Sequence, residues 1–293
     1  MLDLLILGNL IVDDVVYADG STRMRQAGGA VLYAALAARL FGARVGVVSR
    51  VGDDYPRDVL DELTARGVAL TLRPMNGPGL RIWLLDEGAR RQVVHRLSGP
   101  SHEQATPTLD DIPEAWRAAR AVHLAPAPLQ RQRALLDGLA GRGALLSLDP
   151  FALLRDDALP SWRALLGRVD ALFVSRDELL LSKTGALALQ REAVDRRATL
   201  VLKRGAEGGQ LWHGGAAHRW RARANQVVET TGAGDAFAAG FLTALVDREP
   251  ITRCVARGVV AASFALEDVG PQGLLAATPA QADARLRAWY PNA

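Results

Sequence analysis

The amino-acid sequence predicts an α/β fold with a mainly parallel central sheet. Short apolar runs of strand length alternate with segments of helical periodicity along most of the 293 residues. This is the pattern of βα units that place helices on both faces of a sheet. Hydrophobic residues make up 49% of the chain and charged residues 23%, which is typical of a globular protein and not of a disordered one.

Six strands are expected in the central sheet, because each is a short apolar run that is bounded by turn residues or leads into a helical stretch. They cover residues 2–7, 44–49, 121–124, 144–148, 171–174 and 200–203. Six segments have apolar residues at helical spacing and are expected to be helices. They cover residues 31–41, 57–66, 129–139, 186–197, 236–246 and 251–266.

Two regions interrupt this alternation and predict a small second sheet. Between residues 68 and 96, apolar and polar residues alternate on either side of a turn at residues 86–89, as in antiparallel strands. Together with residues 11–17 they could form a lid, built from about residues 10–27 and 68–100. A surface hairpin without a function fits the same pattern. Because there is no Pro/Gly-rich linker, residues 1–293 are expected to form one domain.

Charge and cysteine content exclude several classes of protein. The 35 basic and 32 acidic residues give a net charge of +3, and the arginines are scattered, unlike the basic stripe of a nucleic-acid-binding protein. The single cysteine, Cys254, allows neither a disulfide framework nor a cysteine metal site, and it fits a reducing compartment. The five histidines do not have metal-ligand spacing.

Neither a membrane span nor secretion is expected from the sequence. No apolar stretch approaches the roughly 18 uncharged residues that a spanning helix needs. The first apolar run follows Asp3, with no positively charged segment before it, so it does not resemble a signal peptide. The expected location is the cytoplasm.

The most informative stretch is residues 230–237, which read Thr-Thr-Gly-Ala-Gly-Asp-Ala-Phe and lead into a predicted helix. Small residues let the backbone approach a ligand closely, and the free amides of a helix's first turn form a site for an anion such as phosphate. Asp235 is an unexpected neighbour for phosphate unless it orients a hydroxyl group and takes its proton. The pattern therefore indicates phosphoryl transfer to an alcohol.

A second interpretation of this stretch stays open. Gly232 and Gly234 could form a tight turn, and Asp235 could simply favour the positive end of the helix. The sequence contains no Gly-x-x-x-x-Gly-Lys-Ser/Thr and no Gly-x-Gly-x-x-Gly. A P-loop is therefore excluded, and a dinucleotide-binding site is disfavoured.

Residues 230–237 resemble the C-terminal signature of the PfkB, or ribokinase-like, family of carbohydrate kinases. The resemblance extends over nearly the whole chain and implies a ribokinase-like three-layer fold with a small β lid. It also implies an ATP-dependent kinase that uses Mg²⁺ and acts on a sugar or sugar-like hydroxyl. The other matching segments, in the family's order, are Gly8-Asn9 through Asp13, Gly28-Gly29 before a helix ending at Phe41-Gly42, residues 51–54, Glu178, and residues 203–208.

The resemblance implies roles for the signature residues. Asp235 is similar to the family's catalytic base, and the amides of Gly232, Ala233 and Gly234 resemble its anion hole for the γ-phosphate. Thr231, Gly232 and Gly234 are also expected to contact the nucleotide.

The acceptor side is implied by residues in the first part of the chain. Asp13 looks like the carboxylate that accepts hydrogen bonds from substrate hydroxyls, which an ionised acceptor does well. Gly28 and Gly29 would bring the backbone close to the substrate, and Tyr33 is expected beside them. From the residues alone, Asp13 could be a turn former and the two glycines a helix entry.

The metal and the nucleotide are implied by residues in the second half of the chain. Glu178 resembles the acid that helps to hold magnesium, through water, although it could also be an ordinary first-turn residue of a helix. Gly205 and Gly208 look like part of the loop beside the nucleotide, and Lys203 is grouped with them as a cofactor-binding residue. Lys203 could instead be a strand terminus without a ligand role.

Three positions depart from the family pattern. Tyr33 stands where many sugar kinases of the family have an Asn that contacts substrate, so the sugar-binding pattern is not carried over intact. Ser175 replaces the Asn of the magnesium-associated motif and leaves Glu178 with less support. Glu229 replaces the Asp that usually precedes the two threonines, and potassium dependence is therefore not predicted.

The expected function is a carbohydrate kinase with ATP and a small sugar-like molecule as partners, and without nucleic acid or membrane. A nucleoside or cyclitol kinase of the same family is the nearest alternative, and Tyr33 is a mild hint of it. A ligand-binding protein that kept the fold but lost turnover is the alternative from another class. Family members often pair through their lids, so a homodimer through the lid is a further expectation.

Overall fold

The protein is described by a computed structural model that covers residues 1–86, 91–95, 99–150, 152–179, 182, 184–196 and 198–292. Its strands are β1 Leu4–Leu7, β2 Ile11–Val16, β3 Thr22–Gly28, β4 Val45–Val51, β5 Ala69–Pro74, β6 Arg81–Asp86, β7 Arg91–His95, β8 Ala121–Leu124, β9 Leu145–Leu148, β10 Ala171–Ser175, β11 Thr199–Lys203, β12 Gly209–His213 and β13 Ala216–Trp220. Its helices are α1 Ala30–Leu40, α2 Arg57–Ala65, α3 His102–Ala105, α4 Leu129–Leu139, α5 Leu159–Leu166, α6 Gly185–Arg196, α7 Ala233–Val246, α8 Ile251–Ala265, α9 Gln272–Ala276 and α10 Pro279–Trp289.

The large sheet has nine strands in the order β13-β12-β11-β10-β9-β8-β1-β4-β5. The strands from β11 to β5 run parallel to one another, and β12 and β13 extend the sheet as antiparallel strands. The predicted mainly parallel sheet is therefore confirmed, and all six predicted strands lie in it.

The large sheet is buried on both faces, and this produces three layers. On β1, Leu4 and Ile6 point into one apolar cluster with α1, α7 and α8. Leu5 and Leu7 point into the other cluster with α4, α5 and α6. Because alternate side chains of a strand point to opposite faces, a strand with a core on both sides is apolar throughout. This explains the continuous apolar runs in the sequence.

The small sheet has four strands in the order β3-β2-β6-β7. β2 and β6 are parallel, while β2 pairs with β3 and β6 pairs with β7 as antiparallel strands. Arg81 on β6 holds the carboxylate of Asp14 on β2 through two hydrogen bonds of 2.5 and 2.7 Å, so a buried ion pair reinforces the central strand pairing. The predicted turn at residues 86–89 lies, apart from Asp86, outside the described residues.

One part of the predicted small sheet was wrong. Residues 68–100 were expected to belong to it, but β5 pairs in parallel with β4 at the edge of the large sheet. Helix α2 connects these two strands, and parallel neighbours need such a crossover. β5 is the outermost strand of the large sheet and is only half-buried, so apolar and polar residues alternate along it. Antiparallel strands have the same alternation, which is why the sequence pattern was misleading.

Helices α7 and α8 approach each other closely at two glycines. A Cβ atom added to Gly240 on α7 would lie 2.7 Å from the carbonyl oxygen of Arg257 on α8. A Cβ atom added to Gly258 on α8 would lie 2.9 Å from the ring of Phe237 on α7. Because these two glycines have no side chains, α7 and α8 can pack closely against each other, and this contact fixes the position of α7.

In the part of the chain that the structure describes, no helix combines the length and the apolar character that crossing a bilayer requires.

Replacing Gly240 by Ala should destabilise the protein, because the new methyl group meets the backbone of α8. Gly138→Ala is the matched control, since Gly138 also lies in a helix and the three atoms nearest to its added methyl group all belong to the Leu109 side chain, which can rotate away. Both variants replace a helical glycine by alanine, which by itself favours the helix. Urea denaturation should show Gly240→Ala to be less stable than Gly138→Ala by about 2 kcal/mol. Equal stabilities would contradict the close helix contact.

Candidate active site

Three neighbouring parallel strands of the large sheet have their carboxyl ends side by side, and each supplies a polar group there. This row of carboxyl ends forms the edge of the sheet at which the candidate site lies. Asp149 follows the last residue of β9, Ser175 ends β10 and is followed by Glu178, and Lys203 ends β11. Carboxyl ends of adjacent parallel strands lie side by side, and this edge is where ligands bind in open α/β sheets. The topology therefore gathers two carboxylates and one ammonium group into a cluster.

Lys203 and Asp149 form an ion pair in this cluster. The side chain of Lys203 is 16% exposed and that of Asp149 is 3% exposed. Burial favours the neutral amine, but the attraction of Asp149, Glu178 and Asp235 outweighs burial and raises the pKa of Lys203. The ammonium group is therefore charged at neutral pH.

The backbone of Asp149 is held from two sides. Its amide donates to the carbonyl oxygen of Leu124 at 2.9 Å. Its own carbonyl oxygen accepts a hydrogen bond of 2.8 Å from Gln132 Nε2, which also donates to the carbonyl oxygen of Ala125 at 3.0 Å. The buried amide of Gln132 on α4 thus ties together the loops that follow β8 and β9.

Glu178 is supported by Ser175. Its Oε2 atom accepts hydrogen bonds from the Ser175 amide at 2.5 Å and from the Ser175 hydroxyl at 2.9 Å. The short hydroxyl side chain of Ser175, three residues earlier, thus reaches the carboxylate, while the role of Glu178 at a metal stays a prediction. Burial and the charge of Asp149 raise the pKa of Glu178 to about 7, although Lys203 and the Ser175 hydrogen bonds oppose this shift.

The loop before α7 offers backbone amides to a ligand. Gly232 caps the helix with a φ of 75°, a left-handed conformation that favours glycine. The amides of Gly232 and Gly234 donate to no other group in the described parts of the chain, whereas the Ala233 amide makes a long bond of 3.4 Å to the carbonyl oxygen of Thr230. Two of the three predicted donors are thus open to an anion.

Asp235 lies in the first turn of α7, facing the cluster at the sheet edge. Burial and the charge of Asp149 raise the pKa of this half-buried carboxyl to about 7, although Lys203 opposes the shift. A base works best when its pKa lies near the working pH. Asp235 can therefore exchange a proton near neutral pH.

Tyr33 lies beneath the loop. A Cβ atom added to Gly232 would lie 2.1 Å from the Tyr33 ring, and Tyr33 is 1% exposed. In this conformation the ring packs against Gly232 and is almost fully buried, and its expected contact with a substrate stays a prediction. Burial, followed by the charges of Asp13, Glu229 and Asp235, raises the pKa of the Tyr33 hydroxyl. Asp13, on the predicted acceptor side, and Asp235, on α7, thus both raise the pKa of the same tyrosine.

The predicted acceptor residues lie together on the small sheet and at the start of α1. A Cβ atom added to Gly28 would lie 1.9 Å from Oδ2 of Asp13, so the carboxylate rests directly on this glycine. Gly29 has a φ of 101° and lies against the carbonyl oxygen of Asn9. Tyr55 donates to the carbonyl oxygen of Gly28 at 3.2 Å. Both glycines therefore allow other groups of the protein to approach closely, and their expected approach to a substrate stays a prediction.

Glu229 joins two loops. Its Oε2 atom accepts from the Gly270 amide at 3.0 Å and its Oε1 atom accepts from the Thr231 hydroxyl at 2.5 Å. The amide of Val228 also donates to the carbonyl oxygen of Leu266 at 2.7 Å. The hydroxyl group of Thr231 thus bonds to Glu229, and the expected contact of Thr231 with the nucleotide stays a prediction.

Gly205 and Gly208 lie in the turn after β11. Among the residues that the structure describes, apart from its chain neighbours, none has an atom within 4 Å of a Cβ added to Gly205. A Cβ added to Gly208 would lie 2.2 Å from the carbonyl oxygen of Trp220. Gly205 therefore faces open space, and Gly208 is needed for packing against the end of β13.

A cavity of about 670 Å³ lies at the opposite edge of the large sheet, next to Leu145, Asp170 and Thr199, where β9 and β11 begin. The polar groups there have partners. Asp170 accepts from the Leu146 amide at 2.8 Å, and the Thr199 hydroxyl lies 2.9 Å from Nδ1 of His213. The candidate acid, base and anion-binding groups are at the other edge, so chemistry and not cavity size identifies the site.

The chain is similar to known proteins over most of its length. The model of the pfkB family of carbohydrate kinases matches residues 3–277. A cytidine kinase of Thermococcus kodakarensis is 28% identical over 284 residues, which cover 92% of this chain and 98% of that protein. A fructokinase of Escherichia coli is 29% identical over 265 residues, which cover 82% and 83% of the two chains.

The fold of the chain is similar to that of a solved structure. An Escherichia coli protein assigned as a ribokinase II and solved with ATP and Mg²⁺ has a TM-score of 0.79 to this chain, with 15% identity. The match covers 98% of this chain and 100% of the other. The family match over nearly the whole chain, together with this fold, shows that the chain belongs to the pfkB family of carbohydrate kinases, which are phosphotransferases with an alcohol group as acceptor.

Proposed function

We propose that this protein transfers the γ-phosphoryl group of ATP to a hydroxyl group of a nucleoside or a sugar, with Asp235 as the base. The observation that carries this proposal is local. Asp235 has a pKa near neutrality, and it projects from the same helix turn at which the Gly232 and Gly234 amides are open to an anion. A base and an anion hole in one turn are the parts that such a transfer needs.

Magnesium fits the donor set on the β10 side of the cluster. Oε2 of Glu178 is taken by Ser175, which leaves Oε1 for a metal-bound water. Mg²⁺ usually keeps several waters and takes few protein ligands. When bound with ATP, the ion neutralises charge on the phosphates, while the residues of the chain position the nucleotide. Gly205, on the loop after β11, is proposed to border the nucleotide.

Asp13 is proposed to bind hydroxyl groups of the acceptor, with Gly28 and Gly29 shaping that side of the site. Its carboxylate lies on the small sheet, and it is 4% exposed. Because the carboxylate belongs to β2, movement of the small sheet would carry the acceptor toward Asp235. The small sheet thus acts as a lid in this proposal, which excludes water from the transfer.

Two acceptor classes are supported by different relatives. The cytidine kinase match extends over 98% of that protein and favours a nucleoside, for which the departure at Tyr33 is also a hint. The fructokinase match favours a sugar. A ligand-binding protein without turnover is the third candidate.

A cytoplasmic location, where ATP is available, and a homodimer through the small sheet are also proposed. β3 is an edge strand, and the first four of its residues are exposed. It therefore offers an unpaired edge to a second copy.

A panel of acceptors tests the function directly. ATP consumption should be stimulated by at least one compound among cytidine, other nucleosides, fructose, ribose and inositol, and we expect cytidine to be the best of them. A preference for a nucleoside would identify the protein as a nucleoside kinase. A preference for a sugar or for inositol would show that the acceptor is not a nucleoside. Binding of a panel member without any ATP turnover would contradict the kinase and support the non-catalytic candidate.

Asp235→Asn should lower kcat by about two orders of magnitude or more, because the amide cannot accept the acceptor's proton. ATP binding, measured by calorimetry, should survive, since the open amides of the loop belong to Gly232 and Gly234. Asp195→Asn, on an exposed position of α6, is the matched control and should leave kcat unchanged. Near-normal turnover in Asp235→Asn would refute the role of this residue.

The reaction should slow as the pH falls below about 7. Asp235 must be ionised to act as a base, and its pKa in the folded protein is raised to about 7. The value of kcat/KM for the acceptor should therefore fall about tenfold per pH unit on the acidic side. The residual activity of Asp235→Asn should fall less steeply below pH 7 than the activity of the wild type. An unchanged profile in the variant would assign the dependence to another group.

A further inference from the structure

Lys203 lies where an anion bound to the α7 loop would meet it. A Cβ atom added to Gly234 would be 3.2 Å from the Lys203 Nζ atom, so the ammonium group rests on the open face of a glycine that is part of the anion hole. Its ion pair with Asp149 also holds it there. The position is thus set by two independent contacts.

The type of residue is informative as well. The chain has 33 arginines and only two lysines, Lys183 and Lys203. Arginine serves almost every other cationic position, and a buried ion pair that was only structural would suit its planar group better. Lysine instead gives a compact charge with three rotatable donors. In the described part of the chain, the hydrogen bond of Lys203 goes to Asp149, so further donors are left for a ligand.

The acidic groups near the loop before α7 would disfavour an anion there unless a cation were close by. Asp149, Glu178 and Asp235 all act on Lys203. Three carboxylates next to two open amides would repel a phosphoryl group, and the dipole of one helix offsets only part of that repulsion. A fixed ammonium group beside the amides changes the balance in favour of an anion.

We propose that Lys203 binds an oxygen of the transferring γ-phosphoryl group, and that Asp149 positions Lys203 for this contact. This inference rests on the proposed function and deepens it. During transfer, the acceptor oxygen forms a bond to the γ-phosphorus as the bond to the β,γ-bridging oxygen breaks. The acceptor's proton passes to Asp235, and ADP leaves with the electron pair. Lys203 keeps its proton throughout and stabilises charge on the oxygens of the γ-phosphorus.

Nucleotide binding tests the inference without an acceptor. Calorimetry in the presence of Mg²⁺ would compare ADP with adenylyl-imidodiphosphate, which carries a γ-phosphoryl group and is not hydrolysed. Lys203→Met should weaken binding of the analogue about tenfold or more, the scale of a lost charge-assisted hydrogen bond, and should change ADP binding little. Arg219→Met, an exposed cation on β13, is the matched control and should change neither.

Two further variants separate a missing contact from a damaged fold. Lys203→Met leaves Asp149 buried without its partner, so the double variant Asp149→Asn/Lys203→Met removes both charges and should show the same selective loss. Lys203→Cys should also lose the preference for the analogue. Alkylation of that variant with 2-bromoethylamine rebuilds an ammonium group at nearly the same length and should restore the preference. Wild type treated in the same way, with its buried Cys254, should not change.

The outcomes are distinguishable. If wild type binds the analogue but Lys203→Met and the double variant keep its affinity, or lose ADP affinity equally, the role of Lys203 is refuted while the kinase stands. If wild type binds neither nucleotide, the proposed function fails and this inference fails with it.

Discussion

The parallel register of β9, β10 and β11 is the constraint on which the site depends. Because these neighbours run in one direction, their carboxyl ends bring Asp149, Glu178 and Lys203 to one edge of the sheet. Helix α7 then has to present its first turn to that edge, and its close contact with α8 at Gly240 fixes its position. A slip of β11 by one residue would turn the side chain of Lys203 to the other face of the sheet.

The pKa values of the carboxyl groups in this cluster depend on the balance of nearby acidic and basic groups. Two carboxyls, Glu178 and Asp235, have pKa values near 7, and in both cases burial and the charge of Asp149 raise the value while Lys203 lowers it. One cation is thus shared among three acids. The site is therefore poised so that small changes in nearby charge alter which acid holds a proton, and a raised carboxyl pKa is often found at functional sites.

The sequence was informative about the parts of the fold and site that depend on local pattern. Fully buried strands are continuous apolar runs, so all six predicted strands occur, and the Gly-rich turn before α7 was recognisable from its small residues. Asp149 was missed because a lone Asp after a strand looks like a turn former. Its position at the carboxyl end of a predicted parallel strand was the available signal. β3 and β13 are largely exposed or half-buried and lack an apolar pattern. The contact of Tyr33 with Gly232 depends on tertiary packing, and that of Ser175 with Glu178 depends on the conformation of the turn after β10.

An irregularity in the small sheet has a consequence for how this protein could change. The register between β2 and β3 shifts between Asp13 and Val15, and consecutive acids take up separate tasks. Asp14 fastens β2 to Arg81, while Asp13 lies against Gly28. Under the proposed roles, the group that selects the acceptor is mounted on one sheet and the transfer machinery on another. Mutations in the small sheet could then retune substrate choice while the phosphoryl chemistry is inherited unaltered, which is a modular route to new specificities within one family.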